Sequence, residues 1–196
     1  MKGKKIAAIF ITIITALALS ACSSSDNSSS KKETGEQQKK DGDQMNMDHS
    51  KMDMSGSDGV PKGLKDDQDP TYKVGSKAIV TADHMKGMKG AEAKIVGAYD
   101  TTAYAISYNP TNGGKRVTNH KWVIQEEIQG AGDEELKKGT EVTVNADHME
   151  GMNGAKATID SAEKTTVYMI DYKPTNGGKT VKNHKWVTES ELKQAK

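Results

Sequence analysis

The stretch from Ala82 to Glu127 recurs without a gap as Ala146 to Glu191, with about 29 of 46 positions identical. A duplication this close obliges both copies to build the same elements. Each copy of about 60 residues is near the lower limit for an independent core. Both copies carry two long motifs. One is Asp-His-Met-x-Gly-Met-x-Gly-Ala, at Asp83–Ala91 and Asp147–Ala155, 64 residues apart. The other runs Pro-Thr-Asn-Gly-Gly-Lys, then Val, then Asn-His-Lys-Trp-Val.

Strand patterns dominate each copy. Val142, Val144, Ala146 and His148 alternate with Glu141, Thr143, Asn145 and Asp147, as Ala78, Val80, Ala82 and His84 do in the first copy. A Gly-punctuated loop follows. Next comes a strand around Ala91, Ala93 and Ile95, and then a separate one around Tyr104, Ile106 and Tyr108, each with its counterpart 64 residues on. Asn112-Gly113 and Asn176-Gly177 signal tight turns. Val117–Val123 and Val181–Val187 give the next strand, and a short tail closes the unit. The pattern predicts an all-β chain of two tandem small SH3-like β-barrel repeats, residues 70–131 and 132–196, with another compact β-barrel as the alternative. The four tyrosines Tyr104, Tyr108, Tyr168 and Tyr172 are most simply core.

Residues 1–22 read as a lipoprotein signal peptide. Lys2, Lys4 and Lys5 precede an apolar run from Ile6 to Leu19, too short and too early for a retained span. The segment ends Leu19-Ser20-Ala21-Cys22, which resembles a bacterial lipobox. In that pattern Cys22 carries the lipid anchor, and the protein is exported and held on the extracytoplasmic face of the cell membrane. Cys22 is the single cysteine, so no intramolecular disulfide is possible. Residues 23–69 are rich in Ser, Lys, Asp, Gln and Gly and predict a disordered tether. Removing Lys2, Lys4 and Lys5 leaves 25 basic against 27 acidic residues. A nucleic-acid partner would need a basic stripe with interleaved aromatics, which is lacking.

Eight of the ten methionines fall in three clusters with histidine. The tether holds Met45, Met47, His49, Met52 and Met54. The repeats hold His84, Met85 and Met88, and His148, Met149 and Met152. Thioether is a soft, uncharged ligand suited to Cu(I), and imidazole suits copper in general. In the tether the methionines have no core to fill. In the repeats the alternative is structural: histidines at the edge of a core, and Met88 and Met152 plugging a barrel end. Asp83 and Asp147 are candidate acceptors for the imidazoles. His120 and His184, beside Trp122 and Trp186, are either structural or a second ligand group. No catalytic triad, nucleotide loop or dinucleotide fingerprint is present, so an enzyme is not expected.

The two motifs together resemble the duplicated domain of YdhK-type lipoproteins of Firmicutes, a group similar to the staphylococcal copper-binding lipoprotein CopL. The resemblance covers Cys22 and residues 70–196. It implies a surface lipoprotein that binds copper and protects against copper excess. It points to His84, Met85, Met88, His148, Met149 and Met152. The clustered soft ligands themselves lead to the expectation of an extracytoplasmic Cu(I) buffer or chaperone, with a copper exporter or cell-wall polymer as candidate partner. The competing reading is a cell-surface tandem module that binds wall polymer or a partner peptide without metal, through Trp122, Trp186 and the tyrosines.

Overall fold

The computed structural model describes Gly56 and residues 59–195. The signal peptide, the lipid-anchor Cys22 and the tether ligands Met45, Met47, His49, Met52 and Met54 lie outside the described residues. The strands are β1 (Lys65–Asp66), β2 (Lys77–Val80), β3 (Glu92–Tyr108), β4 (Val117–Ile124), β5 (Glu141–Thr143), β6 (Lys156–Tyr172), β7 (Val181–Thr188) and β8 (Leu192–Gln194). Two 3-10 turns, Gln125–Glu127 and Glu189–Glu191, follow β4 and β7. All strand pairs are antiparallel and belong to one eight-stranded sheet. Among the described residues no helix is long and apolar enough to cross a membrane.

The strands expected separately around Ile95 and Tyr104 are one strand of 17 residues, and the second copy does the same. The reason lies in their partner. β3 and β6 pair with each other along their length, from Ala93↔Tyr172 to Tyr108↔Ala157. Register shifts between Ile95 and Gly97 and between Ala105 and Ile106 let the ribbon bend without breaking. Thr101 pairs with Thr165, its own equivalent 64 residues on. A pseudo-twofold axis therefore passes between these two threonines.

The antiparallel pairing sets the first half of β3 beside the second half of β6. One core gathers Val80, Met88, Ala93 and Ile95 from the first copy with Tyr168, Ile170, Tyr172 and Leu192 from the second. The other gathers Tyr104, Ile106, Tyr108 and Val123 from the first with Val144, Met152, Ala157 and Ile159 from the second. Each core thus takes half its strands from each sequence copy. The strand path β5–β6–β3–β2–β8 does not close on itself, and two self-contained barrels give way to one shared sheet. A copy of about 60 residues buries too little surface alone, and sharing removes that limit. A third cluster, with Trp122, Ile124, Val167, Met169 and Trp186, packs across the middle of the ribbon.

The two conserved loops within the chain interlock across the copies. The Thr175 amide donates to the Gly87 carbonyl at 2.8 Å, and the Thr111 amide to the Gly151 carbonyl at 2.9 Å. Gly87 has φ +83°, and a Cβ there would sit 2.2 Å from the Asn176 side-chain oxygen. At Gly151, φ +75°, it would sit 2.8 Å from that of Asn112. This explains the glycine that breaks each His-Met motif: it must turn left-handed and let an asparagine approach.

Two outcomes follow. The second copy alone, residues 132–196, holds only half of each core. It should give no folded monomer and should instead dimerise, pairing β6 with its own copy about Thr165. Sedimentation together with far-UV circular dichroism checks this, and a folded monomer would overturn it. Gly90 is also left-handed, φ +81°, but faces open space. Gly90→Ala should cost about 1–2 kcal/mol from backbone strain alone, and Gly87→Ala clearly more. Urea unfolding of the two variants measures the difference.

Candidate metal centre

The Asn-His-Lys-Trp segments lie in β4 and β7. Both Asn119 and Asn183 are left-handed, with φ of 51° and 49°, a conformation that asparagine tolerates better than most residues. Their amides are held by side chains of the long strands: Asn119 N–H donates to Ser107 Oγ at 3.1 Å, and Asn183 N–H to Asp171 Oδ1 at 2.9 Å. The β3–β4 and β6–β7 registers slip on both sides of His120 and His184, which pair with Ile106 and Ile170. Such irregularities re-aim side chains. The peptides Lys121–Trp122 and Lys185–Trp186 are cis.

His84 and His148 follow β2 and β5, where the chain leaves the sheet for the glycine loop. Each imidazole meets a glutamate from the 3-10 turn of the other copy. His84 Nε2 lies 2.7 Å from Glu191 Oε1, and His148 Nε2 lies 2.8 Å from Glu127 Oε1. The second oxygen of each carboxylate accepts two more bonds. Trp122 Nε1 donates to Glu191 at 2.7 Å and Thr188 N–H at 3.1 Å. Trp186 Nε1 donates to Glu127 at 3.0 Å and Ile124 N–H at 3.2 Å. Burial pushes the Glu191 carboxyl up, but His84, Trp122 and the Thr188 amide outweigh it and hold it below the usual glutamate range.

Because Nε2 donates to a carboxylate, the neutral tautomer of His84 and His148 leaves a lone pair on Nδ1. Both Nδ1 atoms are buried and have no hydrogen-bond partner. The same holds for Nε2 of His120 and of His184. Every histidine among the described residues therefore keeps one buried, unpaired ring nitrogen. The rings stand together. His120 and His148 have centroids 6.3 Å apart, and His120 and His184 lean edge-on against Tyr108 and Tyr172 at 6.0 and 5.7 Å. Burial, and then the imidazoles of His148 and His84, push His120 down to about 3. Burial, followed by all three other histidines, does the same to His184. Both are neutral at neutral pH, with lone pairs free to coordinate.

Leaving a buried polar atom unpaired costs about 1–3 kcal/mol, so four in one place call for an explanation. The side chains of His84 and His148 keep 11% and 10% of their surface exposed. Among the described residues, no group of three or more His, Cys, Asp or Glu is placed so that it could hold a metal ion.

Other sequence candidates fall elsewhere. Met88 and Met152 are fully buried, one in each core. Met85 and Met149 pack half-buried against the same cores, with the Tyr172 hydroxyl 4.0 Å from Met85 Sδ. Asp83 and Asp147 are exposed, and the acceptors on the imidazoles are Glu191 and Glu127 instead. Trp122 and Trp186 are buried and donate to those carboxylates rather than presenting an open aromatic face. The four tyrosines are core, as expected. Sequence reasoning passed over Glu127 and Glu191. A signal was present: in the aligned triplets Gln-Glu-Glu and Glu-Ser-Glu, only the last residue survives in both copies.

Comparison with known proteins matches both copies to one family model, described as "Protein of unknown function (DUF1541)", at residues 74–125 and 138–189. The chain is 55% identical over 192 residues to the uncharacterized protein YdhK of Bacillus subtilis, covering 98% of this chain and 90% of that one. A crystal structure of that DUF1541 family protein superposes with a TM-score of 0.72 at 63% identity, over 75% of this chain and 100% of the other. A second YdhK crystal structure gives 0.62 at 66% identity, over 63% of this chain and 100% of that one. A solution structure of the YdhK C-terminal domain gives 0.60 at 66% identity, over 63% of this chain and 93% of the other. With both repeats matched and a full-length relative this similar, the chain belongs to the DUF1541 family as a YdhK-like protein with a duplicated domain.

Proposed function

We propose that this protein binds copper on the extracytoplasmic face of the cell membrane, as a buffer or chaperone and not as an enzyme. The observation that carries the reading is that all four histidines among the described residues keep a buried ring nitrogen lacking a partner. Imidazole is a strong ligand for copper, and hydrogen-bonded carboxylates behind two of the rings would fix their tautomer and raise their basicity. The signal-like leader and lipobox-like Cys22 support export and anchoring, and the Met/His cluster from Met45 to Met54 supports a second pool of ligands suited to Cu(I). Likeness to the copper-binding lipoprotein CopL points the same way. We read the strands around each core, with a 3-10 turn after β4 or β7, as an SH3-like frame that positions the histidines. Met88 and Met152 fill the two cores and are left out of the proposed ligand set.

Wall-polymer binding draws less support, because Trp122 and Trp186 are buried and engaged. Titration of Cu(I) and Cu(II) into the chain from Ser23 to Lys196, each against a competing chelator, tests the reading. At least one site tighter than any in a peptide of shuffled sequence is expected. Copper binding no tighter than that control, in both oxidation states, would sink it.

A further inference from the structure

The edge of β7 that faces away from β6 carries a stretch of the chain from before β1. Gly56 N–H donates to the Lys182 carbonyl at 2.8 Å, and Lys185 Nζ donates to the Gly59 carbonyl. A Cβ at Gly56 would collide with the Asn183 carbonyl oxygen, so the residue seated there has to be glycine. β4 repeats this edge 64 residues earlier, with Thr118, Asn119 and Lys121 in place of Lys182, Asn183 and Lys185. The left-handed asparagine and the register slips around the histidine recur as well. Among the described residues, however, β4 pairs with β3 alone. Burial records the difference. Asn119 is exposed where Asn183 is half-buried, and Val117 and His120 are half-buried where Val181 and His184 are buried. An open edge of this kind presents unpaired backbone groups to an incoming chain.

We infer that the edge of β4 from Thr118 to Lys121 docks an extended, acidic, glycine-containing segment of a partner protein. The occupied twin on β7 defines what fits. A glycine lies over the Asn119 carbonyl and donates its N–H to the Thr118 carbonyl. Three residues further on, a backbone carbonyl of the segment accepts from Lys121 Nζ. Charge selects among such segments. The stretch from Asp53 to Pro61 carries Asp53 and Asp58 and no cation. Lys115 and Arg116 are exposed immediately before β4, and Lys121 lies within it. Main-chain hydrogen bonds supply the affinity of strand addition, and the side-chain positions supply its selectivity. The chain's own Gly56 is engaged on β7, so the β4 edge is left to another molecule. The inference is independent of metal binding.

The test uses the chain from Ser23 to Lys196, which keeps every described residue, and a synthetic peptide with the sequence of Asp53 to Pro61. The peptide is titrated into isotope-labelled protein and followed by amide shifts in nuclear magnetic resonance. Saturation at one peptide per chain is expected, with the shifts concentrated on Thr118–Lys121. A peptide with Gly56→Val should bind at least about tenfold more weakly, and because the protein is unaltered, misfolding cannot mimic that loss. In the protein, Lys121→Ala should weaken binding about two- to fivefold. Three results would overturn the inference. One is no saturable binding, or equal binding of the Gly56→Val peptide. Another is a set of shifts confined to Lys182–Lys185, which shows the peptide only exchanging with the segment already on β7. The third is a concentration-dependent dimer that shifts Thr118–Lys121 without peptide, which makes the occupant a second copy of this chain.

Discussion

The pairing of β3 with β6 about Thr101 and Thr165 is the constraint on which everything else in this molecule depends. Once two equivalent strands run antiparallel through their shared midpoint, every residue of one copy faces its counterpart's neighbourhood across an axis. The two cores then have to be mixed, because the start of one long strand lies beside the end of the other. Cross-strand packing supplies stability pair by pair, and the ribbon supplies a long run of such pairs, broken only by its two register shifts. The glycine loops extend this logic at the periphery, where each loop accepts an amide from the opposite copy's turn.

The carboxylate assemblies use the same symmetry. Trp122 and His84 of the first copy both meet Glu191 of the second, and Trp186 and His148 of the second meet Glu127 of the first. Each buried carboxylate thus ties the two copies together and also orients an imidazole. Removing its partners would leave an uncompensated buried charge, which is far costlier than the pair is favourable. The same contacts that hold the halves in place therefore leave the ring nitrogens of His84 and His148 bare. Structure and candidate function share residues, so the site cannot loosen without loosening the junction.

Several features were legible in the order of residues. Alternation around Val80 and Val144, the tight turns at Asn112-Gly113 and Asn176-Gly177, and the core tyrosines all follow from local periodicity and turn chemistry. The continuity of β3 through Asp100–Thr102 was not legible, since that polar stretch reads as a loop until β6 is placed beside it. Burial of Met88 and Met152 stood as the structural alternative, because methionine fills gaps as readily as it binds metal. Glu127 and Glu191 escaped notice because an isolated glutamate near a strand end carries no periodic mark. Their role appears only when a histidine from the other copy arrives.

By itself the amino-acid sequence determined that the chain is β-rich, that it is built twice from one unit, and that histidine recurs at two fixed places in each copy. These are properties of short-range pattern, and periodicity reads them directly. Only the tertiary structure decided which halves share a core, and that His84 and His148 each meet a glutamate of the other copy. Both depend on contacts between residues far apart in the chain. Repetition alone does not say whether a unit packs on itself or on its twin. The choice follows from a strand long enough to span two cores and a unit too small to fill one.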